Sequence, residues 1–419
     1  MNITQTKLKN GLQILLINKP YLPTVTILFG TPYGSVDEKR GKNGIASLTR
    51  KMHLRGTKKY PNPQALHLEI EKLGARIYTN SAKEVSTFGI TVPKQHLQNC
   101  ISLLKDIILH PKDDIQQFTI EKQLLLDEVR ELTDNPLSHL GILINKQLFK
   151  GTKLAHISLG NEKHIPSIKL EETQQFRKKY YANGSLVVLC GDFSNELSEE
   201  YVLSEMNKNF SFPLNKHKPI KVICRKSQKY LNYVKRPLHQ PVFAICDYAP
   251  KYNSRDFYPY QLASIILGRG FGSKTMQIIR EKYHLAYYAR GFYNPMRTIG
   301  FGGIFAGVFS DKVVKAITLA RQILIDMIDG KINKDELERA KGLFEGMLIG
   351  YNESSSDIAS FYLEQKMFRN SIDTFREIQK QIQSISMNTI IDICKKYFSA
   401  NPYLSLIAKE KPKGLSWNK

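Results

Sequence analysis

The chain has 419 residues, of which 42% are hydrophobic and 10% aromatic, and this length suffices to bury two ordinary cores. Lys and Arg number 61 against 38 Asp and Glu, a net charge of +23, but the basic residues are scattered and form no long run of the kind that binds nucleic acid. No segment approaches the about 18 consecutive apolar residues of a membrane span. We therefore expect a soluble globular protein with neither a nucleic-acid partner nor a membrane-spanning segment.

Cysteine usage and the N-terminus bear on the cellular compartment. The cysteines are far apart and include no Cys-x-x-Cys pair, so we expect buried free thiols rather than a disulfide framework or a thiolate zinc site. They are Cys100, Cys190, Cys224, Cys246 and Cys394. Residues 1–17 lack an apolar segment followed by a small-residue cleavage site. The expected location is the cytoplasm if Met1 is the native start, or the periplasm if a signal peptide was removed.

The first half of the chain alternates patterns typical of strands and helices. Lys9-Asn10-Gly11-Leu12 predicts a tight primed turn between two short strands, since Asn-Gly readily adopts the positive φ angles that such a turn needs. Further along, β-branched and aromatic runs predict strands, and apolar residues at helical spacing predict helices. In chain order, the predicted elements are a strand over 24–29, helices over 44–54 and 63–73, a strand over 85–92, helices over 94–109 and 114–133, and a strand over 185–192.

A Lys- and Asn-rich stretch near the middle of the chain, which contains Pro213 and Pro219, predicts a linker. The expected domains are 1–212 and 231–419, joined by a linker over 213–230. The second half then repeats the order of the first: a strand over 242–248, helices over 258–267 and 274–282, strands over 287–292 and 302–308, and helices to the end. The fold class is therefore predicted as α+β, with two duplicated domains, each an antiparallel sheet with packed helices.

The most informative stretch runs from Gly44 to Thr57 and reads Gly-Ile-Ala-Ser-Leu-Thr-Arg-Lys-Met-His-Leu-Arg-Gly-Thr. It resembles the active-site helix of the insulinase-like and mitochondrial-processing-peptidase-like zinc metallopeptidases, in which an inverted motif, His-x-x-Glu-His, precedes a short apolar stretch and Gly-Thr. In that family the two His share a zinc ion and the Glu serves as base for the attacking water. Here Ser47, Arg50 and Lys51 hold those places, and a hydroxyl and two cations cannot replace two imidazoles and a carboxylate around zinc.

Two carboxylates on a later predicted helix keep the spacing of the same family. There the third zinc ligand is a Glu on a long helix, and a supporting Glu precedes it by seven residues. Glu128, which follows Lys51 by 77 residues, and Glu121 match this register, and their spacing places both on one face of a helix. Without zinc, we expect Glu128 to face Lys51 and Arg50 and to form a direct ion pair, in the first place with Lys51. His53 is expected on another face, as a packing or surface residue.

The second half contains a Gly-rich turn followed by Arg280-Glu-Lys-x-x-Leu-Ala-Tyr287, which resembles the signature of the same family's C-terminal domain. There an Arg and a Tyr seven residues apart reach the substrate carbonyl at the zinc site, and Arg280 and Tyr287 match in type and spacing. A fixed cationic donor and a neutral hydroxyl suit the binding of peptide carbonyls and of a developing oxyanion. The same turn is close to a phosphate-binding loop, but a residue intervenes before Lys274 and the preceding segment looks helical, so nucleotide binding is not expected.

The resemblance covers nearly the whole chain and implies a half-clamshell of two domains that admits unfolded peptides. In two-component members of the family, one subunit carries the complete zinc motif and the other lacks it. We therefore expect a non-catalytic, substrate-binding subunit that holds no metal and donates Arg280 and Tyr287 to a composite active site on a zinc-bearing homologous partner. Two alternatives stay open: a structural or assembly subunit with no proteolytic role, like the core subunits of the respiratory bc1 complex, and a free-standing metallopeptidase with an unrecognised metal site.

Overall fold

The chain folds into two β-sheets, each packed against helices, and so confirms the predicted α+β class. The structure is a computed structural model that describes residues 2–193, 198–218, 220, 222, 230–369, 371–415 and 417. The strands are β1 Asn2–Lys7, β2 Gln13–Asn18, β3 Thr24–Thr31, β4 Arg76–Ser81, β5 Ser86–Pro93, β6 Leu186–Gly191, β7 Leu231–Lys235, β8 Val242–Ala249, β9 Ala286–Pro295, β10 Gly300–Val308 and β11 Tyr403–Ala408.

The helices cover most of the segments predicted as helical. They are α1 Ile45–Met52, α2 Pro63–Lys72, α3 Leu97–Leu109, α4 Ile115–Asp134, α5 Pro136–Leu148, α6 Leu170–Arg177, α7 Glu199–Asn209, α8 Phe257–Gly268, α9 Val313–Ile328, α10 Lys334–Gly350, α11 Ser355–Phe368, α12 Phe375–Ser384 and α13 Met387–Tyr397. A π-helix over Met276–Lys282 lies within the helix predicted over 274–282. In the described ranges, no helix combines the length and the hydropathy needed to cross a membrane.

The two sheets repeat one topology. The first has the strand order β1-β2-β6-β3-β5-β4 and the second the order β7-β11-β8-β10-β9. With β1 set aside, β2 to β6 correspond one to one with β7 to β11, and neighbouring strands run in the same relative directions in both sheets. This repetition agrees with the predicted duplication. Each sheet also contains one parallel pair of strands, β2 with β6 in the first sheet and β7 with β11 in the second. The sheets are therefore mixed and not purely antiparallel as predicted, because a hairpin can join only antiparallel strands.

The chain divides into two compact units, and each unit takes segments from both halves of the sequence. Unit 1 comprises 1–131, 156–220 and 350–372, and unit 2 comprises 132–155, 221–349 and 373–419. Thus α5, from the first half, packs on β8 and β11 of unit 2, and α11, from the second half, packs on the equivalent strands β3 and β6 of unit 1. The domain boundaries predicted from the sequence stay a prediction, since Pro219 and most of residues 221–229 lie outside the described residues.

The core of unit 1 supports the elements that carry the first candidate site. α3 packs on β5, and Cys100 and Leu104 of α3 and Phe88 of β5 are completely buried. α1 and α4 join the same core through Leu48 and Leu125, which are also completely buried. Burial of each large apolar side chain stabilises the fold by about 1.5–3 kcal/mol. The two helices are therefore held on a packed apolar base.

The turn between β1 and β2 differs from the predicted primed turn, although the two strands do pair as an antiparallel hairpin. Gly11 has a positive φ angle of +88°, but Asn10 does not, and a primed turn of type I′ needs both. The Asn10 side chain gives the reason. Its amide nitrogen donates to the carbonyl oxygens of Phe210 and Phe212, each at 2.7 Å, and this anchors the loop to the segment after α7.

The sequence did not predict β4, α5, α6, α7, β7 or β11. The last of these was expected to be part of the C-terminal helices, and that expectation is wrong, because all six residues form a buried strand between β7 and β8. A short apolar run has no period that distinguishes a buried strand from a buried helix. Leu404 pairs with Leu231 and Ile245, which lie far earlier in the chain, so only the tertiary fold identifies these partners.

A close backbone approach in unit 2 generates a stability prediction. A Cβ on Gly268, the last residue of α8, would overlap the backbone of Gly291 in β9. We predict that Gly268→Ala lowers the free energy of unfolding by about 1–3 kcal/mol, the usual cost of overpacking. Gly342 of α10 is the matched control, because a Cβ there meets no atom within 4 Å and Ala should stabilise the helix by about 0.5–1 kcal/mol. Denaturant unfolding measures both changes; a Gly268→Ala protein as stable as wild type contradicts the close approach.

Candidate functional site

The start of α1 is fixed by a buried carboxylate and a close glycine contact. Glu38 Oε1 accepts from the backbone N–H groups of Gly44 and Ala46 at 3.1 and 3.0 Å, which satisfies two donors that a helix start leaves unpaired. Gly44 has a φ of +106°, a left-handed value that favours glycine. A Cβ on Gly160 would overlap Gly44, so both glycines are needed. These contacts fix the positions of the side chains one and two turns later.

The predicted carboxylates lie on α4. The Asp114 carboxylate caps this helix by accepting from the N–H groups of Gln116 and Gln117. The buried residues of α4 recur at spacings of three and four, and they are Phe118, Glu121, Leu125 and Val129. The Glu121 side chain is therefore 0% exposed, whereas that of Glu128 is 40% exposed.

Lys51, Arg55, Glu121 and Glu128 form one network, which we call the ion-pair cluster. Lys51 Nζ lies 2.5 Å from Glu128 Oε1, so the predicted pair is present, and 3.5 Å from Glu121 Oε2. Arg55 Nη2 contacts the other oxygen of Glu121, Oε1. A buried carboxylate needs such compensation, because an unpaired charge inside a protein is strongly unfavourable. Sequence analysis missed Arg55, which lies three residues beyond the end of α1 and outside the helix predicted over 44–54.

Arg50 does not join the ion-pair cluster. Within the described ranges no carboxylate lies at ion-pair distance from it, and its Nη1 instead donates to Thr79 Oγ1 of β4 at 2.7 Å. Of the two cations expected to face Glu128, Lys51 is the one that pairs with it. Consecutive residues of a helix point about 100° apart, so Lys51 reaches Glu128 and Arg50 does not. Burial lowers the pKa of Arg50, and Tyr180 and the Glu128 carboxylate oppose this effect only in part.

Ser47 and His53 have packing roles. Ser47 is buried, and its hydroxyl donates to the carbonyl oxygen of Ser158 at 3.0 Å. His53 lies in the core of unit 1, with Nδ1 2.7 Å from the carbonyl oxygen of Ile107 and its ring centroid 4.7 Å from that of Phe88. Burial lowers the pKa of His53 to about 3, so the ring is neutral at physiological pH. This agrees with the packing role expected for this histidine.

The residues at the degenerate metal positions do not fit zinc. Zn²⁺ requires three or four imidazole, thiolate or carboxylate ligands, and no three His, Cys, Asp or Glu side chains of the described part of the chain come together as a metal site. Glu121 and Glu128 are both engaged by cations. A Lys ammonium next to these carboxylates would also repel a divalent cation.

Unit 2 carries the two predicted substrate-binding residues. Arg280 lies in the π-helix, its side chain is 46% exposed, and its Nε is 3.7 Å from Glu281 Oε1. Tyr287 lies near the start of β9, is 58% exposed, and has its ring centroid 5.2 Å from that of Phe309. The chain between them passes through His284, a non-glycine residue with a left-handed φ of +49°. π-helical turns and such outliers recur at functional sites. Both side chains are accessible to a ligand.

The Gly-rich turn before the π-helix is held by its own side chains. Lys274 Nζ forms an ion pair with Glu336 Oε1 at 2.7 Å, and the Thr275 hydroxyl donates to the carbonyl oxygen of Leu267 at 2.7 Å. In a phosphate-binding loop the equivalent Lys and Thr contact the phosphates and the metal ion. Their engagement here gives no support to the nucleotide interpretation.

The ion-pair cluster predicts unequal effects for its two carboxylates. Glu121→Gln should lower the free energy of unfolding by about 3–5 kcal/mol, because it leaves Lys51 and Arg55 without their buried counterion. Glu128→Gln is the matched control, and its exposed position limits the loss to about 1 kcal/mol. Chemical denaturation of the two variants measures the difference. Equal, small losses would show that solvent screens the whole cluster.

The poor fit to zinc gives a second prediction. The pure chain, freed of tags and exogenous ions, should contain no stoichiometric zinc, because Glu128 alone remains of the three expected ligands. Elemental analysis by mass spectrometry measures the metal content. One tightly held zinc per chain that disappeared in Glu128→Ala would contradict this assignment.

Comparison with known proteins places these features in a family. Residues 13–162 match the family model for insulinase (peptidase family M16), and residues 167–344 match that for the peptidase M16 inactive domain. An uncharacterized zinc protease of Rickettsia bellii is 26% identical over 423 residues, 99% of each chain. The non-peptidase homolog YmxG of Helicobacter pylori is 26% identical over 396 residues, 91% of this chain and 87% of that protein.

A solved structure agrees in fold. The crystal structure of a peptidase M16 inactive domain from Pseudomonas fluorescens has a TM-score of 0.88 and 20% sequence identity, and the match covers 97% of this chain and 98% of that chain. The two family models together span both halves of the sequence, and the sequence contains no His-x-x-Glu-His motif. The chain therefore belongs to the insulinase family, peptidase family M16, and lacks its zinc motif.

Proposed function

We propose that this chain is the non-catalytic, substrate-binding subunit of a heterodimeric zinc peptidase. Its partner is a homologous subunit with the complete zinc motif, and this chain donates Arg280 and Tyr287 to the composite active site. The chain itself holds no zinc and binds unfolded peptides. The observation that carries the proposal is a contrast within one chain: ion pairs occupy the metal positions of unit 1, while Arg280 and Tyr287 of unit 2 are exposed at the family's spacing.

The ion-pair cluster cannot perform the hydrolytic step. A zinc peptidase needs a metal-bound water and a carboxylate base beside it. At the base position this chain has Arg50, a cation that accepts no proton, and Lys51 is bound to Glu128 and Glu121. The name of the Helicobacter pylori relative, a non-peptidase homolog, supports the same assignment.

Arg280 and Tyr287 have the chemistry of a carbonyl-binding pair. The distance of 3.7 Å between Arg280 and Glu281 exceeds the about 2.7–2.9 Å of a charge-assisted hydrogen bond, so the guanidinium donors are not committed to this carboxylate. The ring of Tyr287 packs beside Phe309, which supports its orientation. Two donors, one cationic and one neutral, stabilise the negative charge that develops on a substrate carbonyl during hydrolysis.

Co-expression with a zinc-bearing homologue tests the proposal. The expected result is a heterodimer that cleaves peptides, whereas neither subunit does so alone. In that heterodimer, Arg280→Ala and Tyr287→Phe should each lower kcat by roughly 10- to 1000-fold, because each removes one donor to the developing oxyanion. Size-exclusion chromatography verifies that both variants still assemble.

Matched controls use residues of the same types nearby. Arg290 is an exposed arginine of β9, and Tyr283 is an exposed tyrosine just after the π-helix. Arg290→Ala and Tyr283→Phe should leave turnover close to that of the wild-type heterodimer. If Arg280→Ala and Tyr287→Phe also leave it unchanged, the protein has a structural or assembly role instead.

A further inference from the structure

We propose that the Arg50 guanidinium, at the position that matches the family's catalytic Glu, is a binding site for a peptide carboxylate. The carboxylate is that of the peptide C-terminus or of an Asp or Glu side chain, since both present the same pair of acceptor oxygens. This inference rests on the proposed peptide-binding function and specifies the class of peptide that the chain prefers. The assignment follows from the charges, the hydrogen bonds and the accessibility of the residues around Arg50.

The charges in this region do not balance. Three cations, Arg50, Lys51 and Arg55, face two carboxylates, Glu121 and Glu128, which leaves one positive charge in excess. Glu128 is neutralised by Lys51, and Glu121 lies between Lys51 and Arg55. Both anions are therefore compensated by cations other than Arg50. The excess charge lies on Arg50.

Arg50 also has more donors than acceptors around it. A guanidinium carries five N–H donors, and within the described ranges its hydrogen-bond partner is Thr79 Oγ1, a neutral acceptor. None of its nitrogen atoms is both buried and without a partner, so the remaining donors reach solvent. Burial lowers the pKa of Arg50. The charged guanidinium therefore loses more hydration free energy on burial than it gains from electrostatic attraction to its neighbours. A ligand carboxylate would supply that stabilisation.

The Arg50 side chain is partly exposed, and its surroundings favour a ligand of one charge. Arg50 is bound to β4, which is an edge strand of the first sheet, and the neighbouring Glu128 side chain is 40% exposed. A carboxylate matches the single excess charge and accepts two parallel hydrogen bonds from one guanidinium. A neutral carbonyl would leave the charge uncompensated, and a doubly charged phosphate would exceed it. The geometry therefore favours a carboxylate.

Four labelled peptides of one sequence test the proposal with the full chain. Two differ only in a C-terminal carboxylate or carboxamide, and two amidated peptides differ only in an internal Asp or Asn. Fluorescence anisotropy should show that the acidic member of one pair binds roughly tenfold more tightly, the effect of one charge-assisted hydrogen bond. The pair that shows the preference identifies the source of the carboxylate. Arg50→Gln should abolish the preference, and Arg50→Lys should keep part of it.

Arg40→Gln is the matched control, because it removes the same charge from an exposed arginine of unit 1 and should leave the preference unchanged. Thermal unfolding verifies that each variant is folded. A preference for acidic peptides that persists in Arg50→Gln overturns the proposal, and so does a preference that Arg40→Gln removes equally.

A small ligand separates failure of this inference from failure of the proposed function. N-acetylglycine and its amide are titrated calorimetrically into the wild-type chain and into Arg50→Gln. Binding of N-acetylglycine that Arg50→Gln abolishes, with no peptide binding at all, supports the carboxylate site and overturns the peptide-binding function. Peptide binding that requires Arg280 and Tyr287 but does not distinguish acids from amides overturns the carboxylate site alone. No binding of either ligand overturns both.

Discussion

The burial of the Glu121 carboxylate is the constraint on which the candidate site in unit 1 depends. This side chain is 0% exposed on the packed face of α4, where an unpaired charge would cost several kcal/mol. Lys51 at the end of α1 and Arg55 just after it supply the compensating cations. In the zinc peptidases that the sequence resembles, a metal ion joins the positions that match Lys51 and Glu128. Here an ion pair joins these two residues.

Replacing a metal by fixed cations changes the chemistry of this site more than its architecture. Zinc supplies a positive charge together with an activated water, whereas Lys and Arg side chains supply only the charge and hydrogen-bond donors. The helices keep their positions because they are held by the apolar core, through Leu48 and Leu125, and not by the metal ligands alone. The proposed carboxylate site at Arg50 uses this positive charge without an activated water.

Each half of the chain supplies a helix to the unit formed mainly by the other half, so each unit needs both halves of the chain. Gln147 of α5 accepts a hydrogen bond from the Ser405 hydroxyl of β11 at 2.8 Å, and Ser355 of α11 pairs with Thr26 of β3 at 2.8 Å. All four residues are buried, so these polar contacts specify which sheet each helix joins. Each compact unit is completed by a helix from the other half of the sequence. Neither half of the chain contains a whole unit.

Local patterns in the sequence determined much of the fold and part of the site. Helical spacing located α1 and α4 to within a few residues, and the register of Glu121 and Glu128 with Lys51 predicted the ion pair that the structure contains. The loss of the zinc motif at Ser47, Arg50 and Lys51 was also evident. These features depend on residues close in sequence, or on a spacing that the family resemblance supplied.

The tertiary structure decided the rest, because the contacts concerned join residues far apart in the chain. Arg50 donates to Thr79 on a strand that the sequence did not predict, and β11 pairs with β7 and β8 across the second half of the chain. The spacing of apolar residues shows which face of a helix or strand is apolar, but not which other helix or strand packs on that face. The sequence by itself therefore determined that the His-x-x-Glu-His motif is absent and, through the family resemblance, predicted the pair of Lys51 with Glu128. Only the packing of α1, α4 and β4 decided that Arg50 donates to Thr79 and pairs with no carboxylate of the described residues.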